Sequence, residues 1–277
     1  MYTILVPTDF SVTAKNAAHY AIEFAKQTGS KKIIFYNVYQ QAEIAEPMSG
    51  TPVFYDLDDF KKISEEGLAK FKLQLQAFCP VNIQLETISE YNLLSTGVDE
   101  LCKSAGADIV IMGITEVSAA EEVLVGSNSV HIAKHTTVPV IIVPETAAFT
   151  PVEEVVLACD FKQVVESIPI EPLKKLLDIT SAKLFVLNID HNNKRYNSET
   201  PFESLLLDTL LQNYQREYHF IDSEDYIAAI NQFVTDKQVD IVVTIPKKHG
   251  WFDSLFKRSH TKQLAYHSHV PILVIHD

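Results

Sequence analysis

Hydrophobic positions along the chain form two kinds of run that alternate. Nearly continuous apolar runs of strand length occur in the first half at residues 3–6, 33–38, 109–112 and 140–143, and a weaker alternating run occupies residues 81–88. Between them, apolar residues recur every three or four positions, which is the period of an amphipathic helix. Continuous apolar strands that alternate with helices predict a parallel sheet covered on both faces.

The helical stripes have recognisable ends. Ser11 can cap the first helix, and Gly29 can end it in the left-handed conformation. Two further stripes precede the fourth strand. The apolar members of the three stripes are Ala14, Ala17, Ala18, Ala21, Ile22, Phe24 and Ala25; Leu57, Phe60, Ile63, Leu68, Phe71, Leu75 and Phe78; and Leu94, Val98, Leu101 and Cys102.

The second half of the chain repeats the order of the first. The matching pairs are Asp9 with Asp160 and Asn37 with Asn188 at an offset of 151, and Asp108 with Asp240 and Pro139 with Pro271 at an offset of 132. The fall in offset indicates a single deletion in the second half between Asn188 and Asp240. We therefore predict two similar domains, at residues 1–145 and 152–277, joined by a linker that ends at Pro151.

Composition narrows the class of protein. The 277 residues are 47% hydrophobic and 21% charged, without an apolar run near the ~20 residues that cross a bilayer, so we expect a soluble globular protein. The amino terminus lacks the pattern of a signal peptide, and the three cysteines form no CxxC pair, which favours a cytoplasmic protein. The net charge of −13 argues against nucleic acid and anionic membranes as partners.

Two strand ends of the first half carry groups that suit a phosphate. Ligands of open parallel sheets bind at the carboxyl ends of the strands. Glycine lets a backbone approach a phosphate closely, while hydroxyl and amide groups at a helix amino terminus supply donors. The same residue types are also common as helix caps. The candidates are Pro7, Thr8 and Asp9 after strand one, Met112 and Gly113 after strand four, and Gly126, Ser127, Asn128 and Ser129 at the start of the last helix.

At these residues the chain resembles a tandem member of the universal stress protein family, over nearly its whole length. Nucleotide-binding members of that family carry an early Asp and a loop of the form G-x2-G-x9-G-[S/T]. Here the loop runs from Gly113 through Glu116 to Gly126, so the spacing is kept and the second glycine is replaced. The resemblance implies ATP or AMP, with or without magnesium. It places Asp9 at the ribose or adenine, the Val38 backbone at the adenine, and Gly113, Gly126, Ser127 and Ser129 at the phosphates and ribose.

Glu116 opposes this assignment because its carboxylate repels phosphate, and the three arginines of the chain all lie in the second half. The resemblance also implies the fold: two doubly wound α/β domains, each a five-stranded parallel sheet of order 3-2-1-4-5 with helices on both faces. Residues 138–144 and 270–276 would pair the two domains as an intramolecular pseudo-dimer. Whether two chains form a further homodimer is left open.

The second domain lacks the glycine loop. Ile245 stands in place of Gly113, and Arg258-Ser259-His260-Thr261 replaces the segment from Gly126 to Ser129. Residues 247–262 are instead basic and aromatic. They suit an anion site or a protein-docking surface, unless the aromatic rings pack over the sheet and the lysines stay solvated. The five histidines from His249 to His276 lack the spacing of zinc ligands, so no metal site is predicted.

Motifs of hydrolases and phosphate-loop enzymes are missing from the sequence, so we predict no catalytic residues and at most a slow hydrolysis of ATP. Two functions remain. The first is a stress-response protein with an adenine-nucleotide sensor site in the first domain and a degenerate second domain. The second is a scaffold without nucleotide that binds another protein through the pseudo-dimer and residues 247–262. The position of Glu116 would separate them.

Overall fold

The computed structural model describes residues 2–40, 56–114, 127–161, 168–191, 200–245 and 270–276. Within these ranges the first half comprises β1 (Thr3–Pro7), α1 (Val12–Thr28), β2 (Lys32–Tyr39), α2 (Leu57–Gln76), β3 (Gln84–Tyr91), α3 (Leu94–Ala105), β4 (Ile109–Ile114), α4 (Ser127–His135) and β5 (Val140–Pro144). The second half comprises β6 (Glu154–Ala158), α5 (Ile170–Thr180), β7 (Lys183–Asp190), α6 (Thr200–Leu210), β8 (Arg216–Asp222), α7 (Tyr226–Lys237), β9 (Ile241–Thr244) and β10 (Ile272–Val274).

The strands form one continuous sheet in the order β3-β2-β1-β4-β5-β10-β9-β6-β7-β8. Neighbouring strands are parallel within each half, and each half has the order 3-2-1-4-5. The predicted fold class is therefore confirmed. The domain boundaries at 145 and 152 stay predictions.

Both faces of the sheet are buried, which explains the continuous apolar runs. In β2, Ile33 and Phe35 pack in the same cluster as α1 and α2, whereas Ile34 and Tyr36 pack on the opposite face with residues of α3 and α4. All four side chains are fully buried. Burying a large apolar side chain contributes about 1.5–3 kcal/mol, so this alternation stabilises the first half through both faces of its sheet.

The first helix follows the sequence prediction closely. The Ser11 Oγ accepts a hydrogen bond from the Ala14 N–H at 3.1 Å, and Gly29 ends the helix with φ of 63°. The stripe predicted for α2 is only partly correct. Leu68, Phe71 and Leu75 are buried, but Ile63 and Phe78 are exposed because α2 covers the edge of the sheet and ends before residue 78.

The matched residues of the two halves have the same structural role. Asn37 donates to the Thr8 carbonyl at 2.6 Å, and Asn188 donates to the Cys159 carbonyl at 2.9 Å. Likewise, the Asp108 carboxylate accepts from the backbone of Thr3 at 2.8 Å, and the Asp240 carboxylate accepts from that of Glu154 at 2.9 Å. Each asparagine holds the turn after the first strand, and each aspartate holds the start of that strand.

The register of the edge strands refines the predicted deletion. Ile33 pairs with Leu85 in the first half, whereas the equivalent Leu184 pairs with Arg216, an offset of 131. The second half is therefore shortened between β7 and β8 by one position more than predicted, and it regains that position between β8 and β9. The loss falls where the first half has its longest connection.

The two halves meet through β5 and β10, which pair antiparallel. Ile141 pairs with Leu273, its own equivalent at the offset of 132, and the neighbouring pairs are Val140 with Val274 and Ile142 with Ile272. This is the pairing that a two-fold axis passing between Ile141 and Leu273 would produce.

Contacts on either side of this axis differ. Lys175 of α5 forms an ion pair with Asp108 and lies 4.6 Å from the centre of the Tyr2 ring. The residue of the first half that matches Lys175 is Phe24, which is fully buried. The interface is thus symmetric in backbone and asymmetric in chemistry.

The segment between the two halves is fastened to α1. The Asn16 side-chain amide donates to the carbonyls of Pro144, Glu145 and Ala147. The Gln27 side chain both donates to the carbonyl of Val152 at 3.0 Å and accepts from its N–H at 2.9 Å. Two polar side chains of one helix therefore fix the predicted linker at both of its ends.

None of the helices described is both long enough and apolar enough to cross a membrane.

Candidate functional site

A cavity of about 690 Å³ opens at the carboxyl ends of β1, β2 and β4. It lies where the sheet order reverses between β1 and β4, the usual ligand position in this kind of fold. Eight of the ten predicted site residues line it: Pro7, Thr8, Asp9, Val38, Met112, Gly113, Asn128 and Ser129. Ser127 is the first residue of α4, and Gly126 and Glu116 lie outside the described residues.

The turn after β1 is held rigidly beside this cavity. The Thr8 N–H donates to the Tyr36 carbonyl at 2.8 Å, and the Thr8 hydroxyl accepts from the Phe10 N–H at 3.0 Å. Phe10 has a φ of 67°, and the Asp9 carboxylate accepts from the Ser11 N–H at 3.0 Å. Thr8 is buried and Asp9 is exposed, so the turn presents a carboxylate at the cavity.

A chain of hydrogen bonds supports the turn from the edge of the sheet. The Ser89 hydroxyl of β3 donates to the Ser64 hydroxyl of α2 at 2.7 Å, and Ser64 donates to the Asn37 side chain at 2.6 Å. Because Asn37 in turn holds the Thr8 carbonyl, its role is to position the turn. Asn37 also lines the cavity. In the sequence, Asn37 was marked only by its match with Asn188 of the second half.

Gly113 is required by packing. A Cβ at this position would lie 2.6 Å from both the carbonyl oxygen and the Cγ2 of Thr13, so β4 and α1 approach too closely for any side chain. The Ser129 hydroxyl, which is buried, donates to the Gly113 carbonyl at 2.7 Å and ties α4 to β4. Gly113 and Ser129, which were predicted to contact a phosphate, therefore also stabilise the packing of β4 against α1 and α4.

Three helices direct their amino ends at the cavity. The wall includes residues from the start of each helix: Ser11, Thr13 and Ala14 for α1, Leu93, Leu94 and Ser95 for α3, and Asn128 and Ser129 for α4. None of these helices carries an acidic residue in its first turn, whereas α2, α5 and α6 do. Each amino end carries about half a positive charge, and acidic side chains that would offset it are missing from these first turns.

The sequence did not indicate the wall formed by α3. Leu93 occupies the cap position without a side-chain hydrogen bond to the helix, so no capping motif marks this start. Behind this wall, the Tyr36 hydroxyl donates to Glu90 in a space left open by Gly97. Burial, followed by this hydrogen bond, raises the pKa of Tyr36 far above its ordinary value, so the phenol stays neutral.

The ionisable side chains among the described residues of the wall are Asp9 and His131. In the same described part of the chain, no group of three or more His, Cys, Asp or Glu side chains is arranged to hold a metal ion.

The second half keeps the turn and changes its surroundings. Phe161 has a φ of 48°, as Phe10 has a positive φ in the first half, and follows Asp160. Ile245, which is buried, occupies the position equivalent to Gly113. Residues 247–262, predicted as an anion or docking segment, lie outside the described residues.

Comparison with known proteins agrees with this architecture. The model of the universal stress protein family matches residues 1–144. Universal stress protein MJ0531 of Methanocaldococcus jannaschii is 26% identical over 141 residues, which cover 50% of this chain and 80% of that protein. Universal stress protein MJ0577 of the same organism is 24% identical over 151 residues, 50% of this chain and 93% of that protein.

A solved structure extends the likeness in fold to the whole chain. The universal stress protein from Archaeoglobus fulgidus superposes with a TM-score of 0.70 and 17% identity, covering 99% of this chain and 96% of that one. This likeness concerns the fold alone. Because the family model spans more than half of the 277 residues, the chain belongs to the universal stress protein family.

Proposed function

We propose that the first half binds an adenine nucleotide, ATP or AMP, and that the chain is a stress-response sensor with a degenerate second domain. The observation that carries this proposal is the meeting of three helix amino ends without first-turn acids at one cavity. Such ends favour anions through their dipoles.

The size and lining of the cavity suit a nucleotide. Its volume of about 690 Å³ lies within the roughly 300–1,000 Å³ of small-molecule sites. Val38, Leu93 and Leu94 supply apolar wall on the side of β2 and α3, where a base would lie. Gly113, Asn128 and Ser129 form the opposite side, near the α4 amino end, where phosphates with or without magnesium would lie. Asp9 stands between them as an acceptor for ribose or adenine.

The arrangement of the two halves supports an intramolecular pseudo-dimer of tandem domains. In the antiparallel pairing of β5 with β10, Ile141 lies opposite Leu273, its own equivalent in the second half. The residues on either side of Ile141 pair as a two-fold relation between the halves requires. The matched roles of Asn37 and Asn188 extend this similarity into the turns. In this proposal the first domain, residues 1–145, holds the ligand, and the second, residues 152–277, serves as its permanent partner.

The test is calorimetric titration of the full chain with ATP, with AMP and with adenosine, in the presence and absence of magnesium. We expect Asp9→Asn to weaken binding about tenfold or more, because a hydrogen bond to a charged acceptor contributes about 1.5–3 kcal/mol. Asp160→Asn is the matched control, since it changes the same turn in the other half and should leave the affinity unchanged. Equal losses in both variants would contradict a site in the first half.

The alternative function, a scaffold without nucleotide, is favoured by one observation. The close approach of Gly113 to Thr13 and the hydrogen bond from Ser129 to the Gly113 carbonyl explain Gly113 and Ser129 by packing, without a ligand. In that case the parent protein would show no heat with any of the three ligands. Its protein partner would then be sought at residues 247–262 by deletion of that segment.

A further inference from the structure

We propose that two copies of this chain associate through the open edge of β8, in an antiparallel pairing about a two-fold axis at His219. The strands form one sheet, in which β8 is the last strand among the described residues. Its sequence, Arg-Glu-Tyr-His-Phe-Ile-Asp, contains neither lysine nor proline, the residues that commonly protect an edge strand from pairing. The pairing does not depend on a nucleotide in the first half.

The backbone of β8 presents a regular set of groups at this edge. The Gln215 carbonyl accepts a hydrogen bond from β7 at 2.9 Å, and the Ser223 N–H donates to β7 at 3.2 Å. Because successive residues of a strand alternate, the even-numbered residues from 216 to 222 turn their N–H and carbonyl groups toward the open edge. An antiparallel copy must pair even-numbered residues with even-numbered residues, and a two-fold axis at His219 does so.

In this register the side chains of β8 complement those of a second copy. Tyr218 and Phe220 lie on one face of the strand, with their ring centres 6.3 and 5.8 Å from that of the buried Phe161. The pairing sets Tyr218 opposite Phe220 of the second copy and Arg216 opposite its Asp222, and the symmetry repeats both pairs. Cross-strand aromatic pairs and pairs of opposite charge stabilise antiparallel strands.

The charged residues at the two ends of β8 are already held by their own chain. The Arg216 Nε donates to the Asp208 carboxylate of α6 at 2.6 Å, and the Asp222 carboxylate lies 3.0 Å from the His191 ring. These contacts order both side chains, so less conformational entropy is lost when a charge of the second copy approaches. The Asp222 side chain is 69% exposed and therefore accessible to that charge.

Exposed apolar side chains of the second half are concentrated beside this edge. Among the described residues of that half, the large hydrophobic side chains that are exposed are Phe202 and Leu205 of α6 and Phe220 of β8. Helix α6 packs on the same face of the sheet as Phe220, since its Leu207 belongs to the same core cluster as Phe161. A two-fold axis perpendicular to the sheet brings the second α6 to this face, where apolar groups of both copies can be buried.

The opposite edge of the sheet, β3, does not complement itself in this way. A two-fold axis at Ile88 would set Glu86 opposite Glu90, a pair of like charges. An axis at Thr87 would set Glu90 opposite Gln84, which forms no ion pair. The self-complementary edge is therefore that of β8, and a two-fold pairing through one edge closes after two copies.

The test is sedimentation of the full chain in an analytical ultracentrifuge, over a dilution series from about 1 to 300 μM. The parent is compared with Phe220→Lys, Asp222→Arg and Thr87→Lys, after circular dichroism has shown that each variant is folded. Thr87→Lys is the matched control, because Thr87 is an exposed residue of the other edge strand and corresponds to Tyr218 in the repeat.

We expect the parent to shift from the mass of one chain, 31.2 kDa, toward twice that mass as its concentration rises. Phe220→Lys should raise the dissociation constant of the dimer about thirtyfold, because it removes two aromatic pairs that each contribute roughly fivefold. Asp222→Arg should raise it about tenfold, because it places a second positive charge opposite Arg216. Thr87→Lys should dimerise like the parent.

A disulfide reports the register of the pairing. Residues that face each other at the axis form a non-hydrogen-bonded pair with Cα atoms about 4.5 Å apart, a separation that suits a disulfide. Under mild oxidation, His219→Cys should therefore give a cross-linked dimer on a non-reducing gel. Thr87→Cys is the control and should remain a single chain.

Four results would overturn the proposal. If the parent keeps the mass of one chain at every concentration, β8 does not pair. If Phe220→Lys and Asp222→Arg dimerise as well as the parent, the copies meet through another surface. Growth beyond two copies, or an equal loss in Thr87→Lys, would show that β8 pairs with β3 of another chain. A folded His219→Cys that forms no cross-link would exclude the axis at this residue.

Discussion

Replacing Gly113 with alanine tests whether that glycine is kept for packing or for the ligand. The added Cβ would lie 2.6 Å from the Thr13 carbonyl oxygen and 2.6 Å from its Cγ2. Non-bonded carbon atoms normally rest about 3.5–4.0 Å apart, so the added Cβ would be too close by roughly 1 Å and β4 and α1 would have to move apart. The backbone oxygen cannot rotate away, so the strain falls on the contact between strand and helix.

The magnitude follows from two opposing effects. Overpacking of this kind costs about 1–3 kcal/mol. Alanine is better than glycine within a strand by roughly 0.5–1 kcal/mol, because glycine loses more conformational freedom on folding. Gly113 is not among the glycines with positive φ, so no further backbone strain is added. The difference between the centres of the two ranges leads us to expect that Gly113→Ala lowers the free energy of unfolding by about 1 kcal/mol.

The assay is urea denaturation followed by circular dichroism at 25 °C. Adding Thr13→Ser to Gly113→Ala removes the Cγ2 contact and leaves the carbonyl contact, so only part of the loss should return. As a control, Gly67→Ala brings its Cβ equally close, at 2.6 Å, to the movable ring of Phe10. It should cost less than Gly113→Ala. If Gly113→Ala is as stable as the parent but loses nucleotide binding, the packing argument is wrong and the glycine serves the ligand.

Two further predictions concern the linker and an ion pair. Asn16→Ala and Gln27→Ala should speed amide exchange in residues 145–153, measured by mass spectrometry, because each removes hydrogen bonds to the linker. Together they should lower the free energy of unfolding by about 2 kcal/mol. Unchanged exchange would show that the linker is fixed by other contacts. The bond from the Arg216 guanidinium lowers the pKa of Asp208, so this stabilisation is present above about pH 4 and is lost as the pH falls through the lowered pKa. Asp208→Asn should therefore flatten the acid limb of the stability curve and cost less than about 1 kcal/mol at pH 7, whereas an unaltered acid limb would refute it.

The strands and the first helix could be predicted because their signals are local. The runs at residues 33–38 and 109–112 lie within β2 and β4, and Ser11 and Gly29 bound α1 as expected. The edge strand was placed less well, at 81–88 instead of Gln84–Tyr91. Edge strands bury one side only, and Val81 proved fully exposed in the turn before β3.

The lining of the cavity was predicted in part, for a related reason. Residues after β1 and β4 stood out because the topology of the fold makes strand ends conspicuous. The α3 wall did not, since Leu93 and Leu94 carry neither caps nor charges. The contact between Gly113 and Thr13 joins positions far apart in sequence, so no local pattern reports it. Only the tertiary structure shows that Gly113 is also needed for the packing of β4 against α1.

The pairing of β5 with β10 has a consequence for how far the sequences of the two halves can diverge from each other. Two separate subunits would find each other only at sufficient concentration, but two units on one chain meet at a high effective concentration whatever the amount of protein. A self-complementary surface is also no longer needed, so one side of the axis can carry Lys175 where the other carries Phe24. The side chains on the two sides of this pairing can therefore change independently of each other.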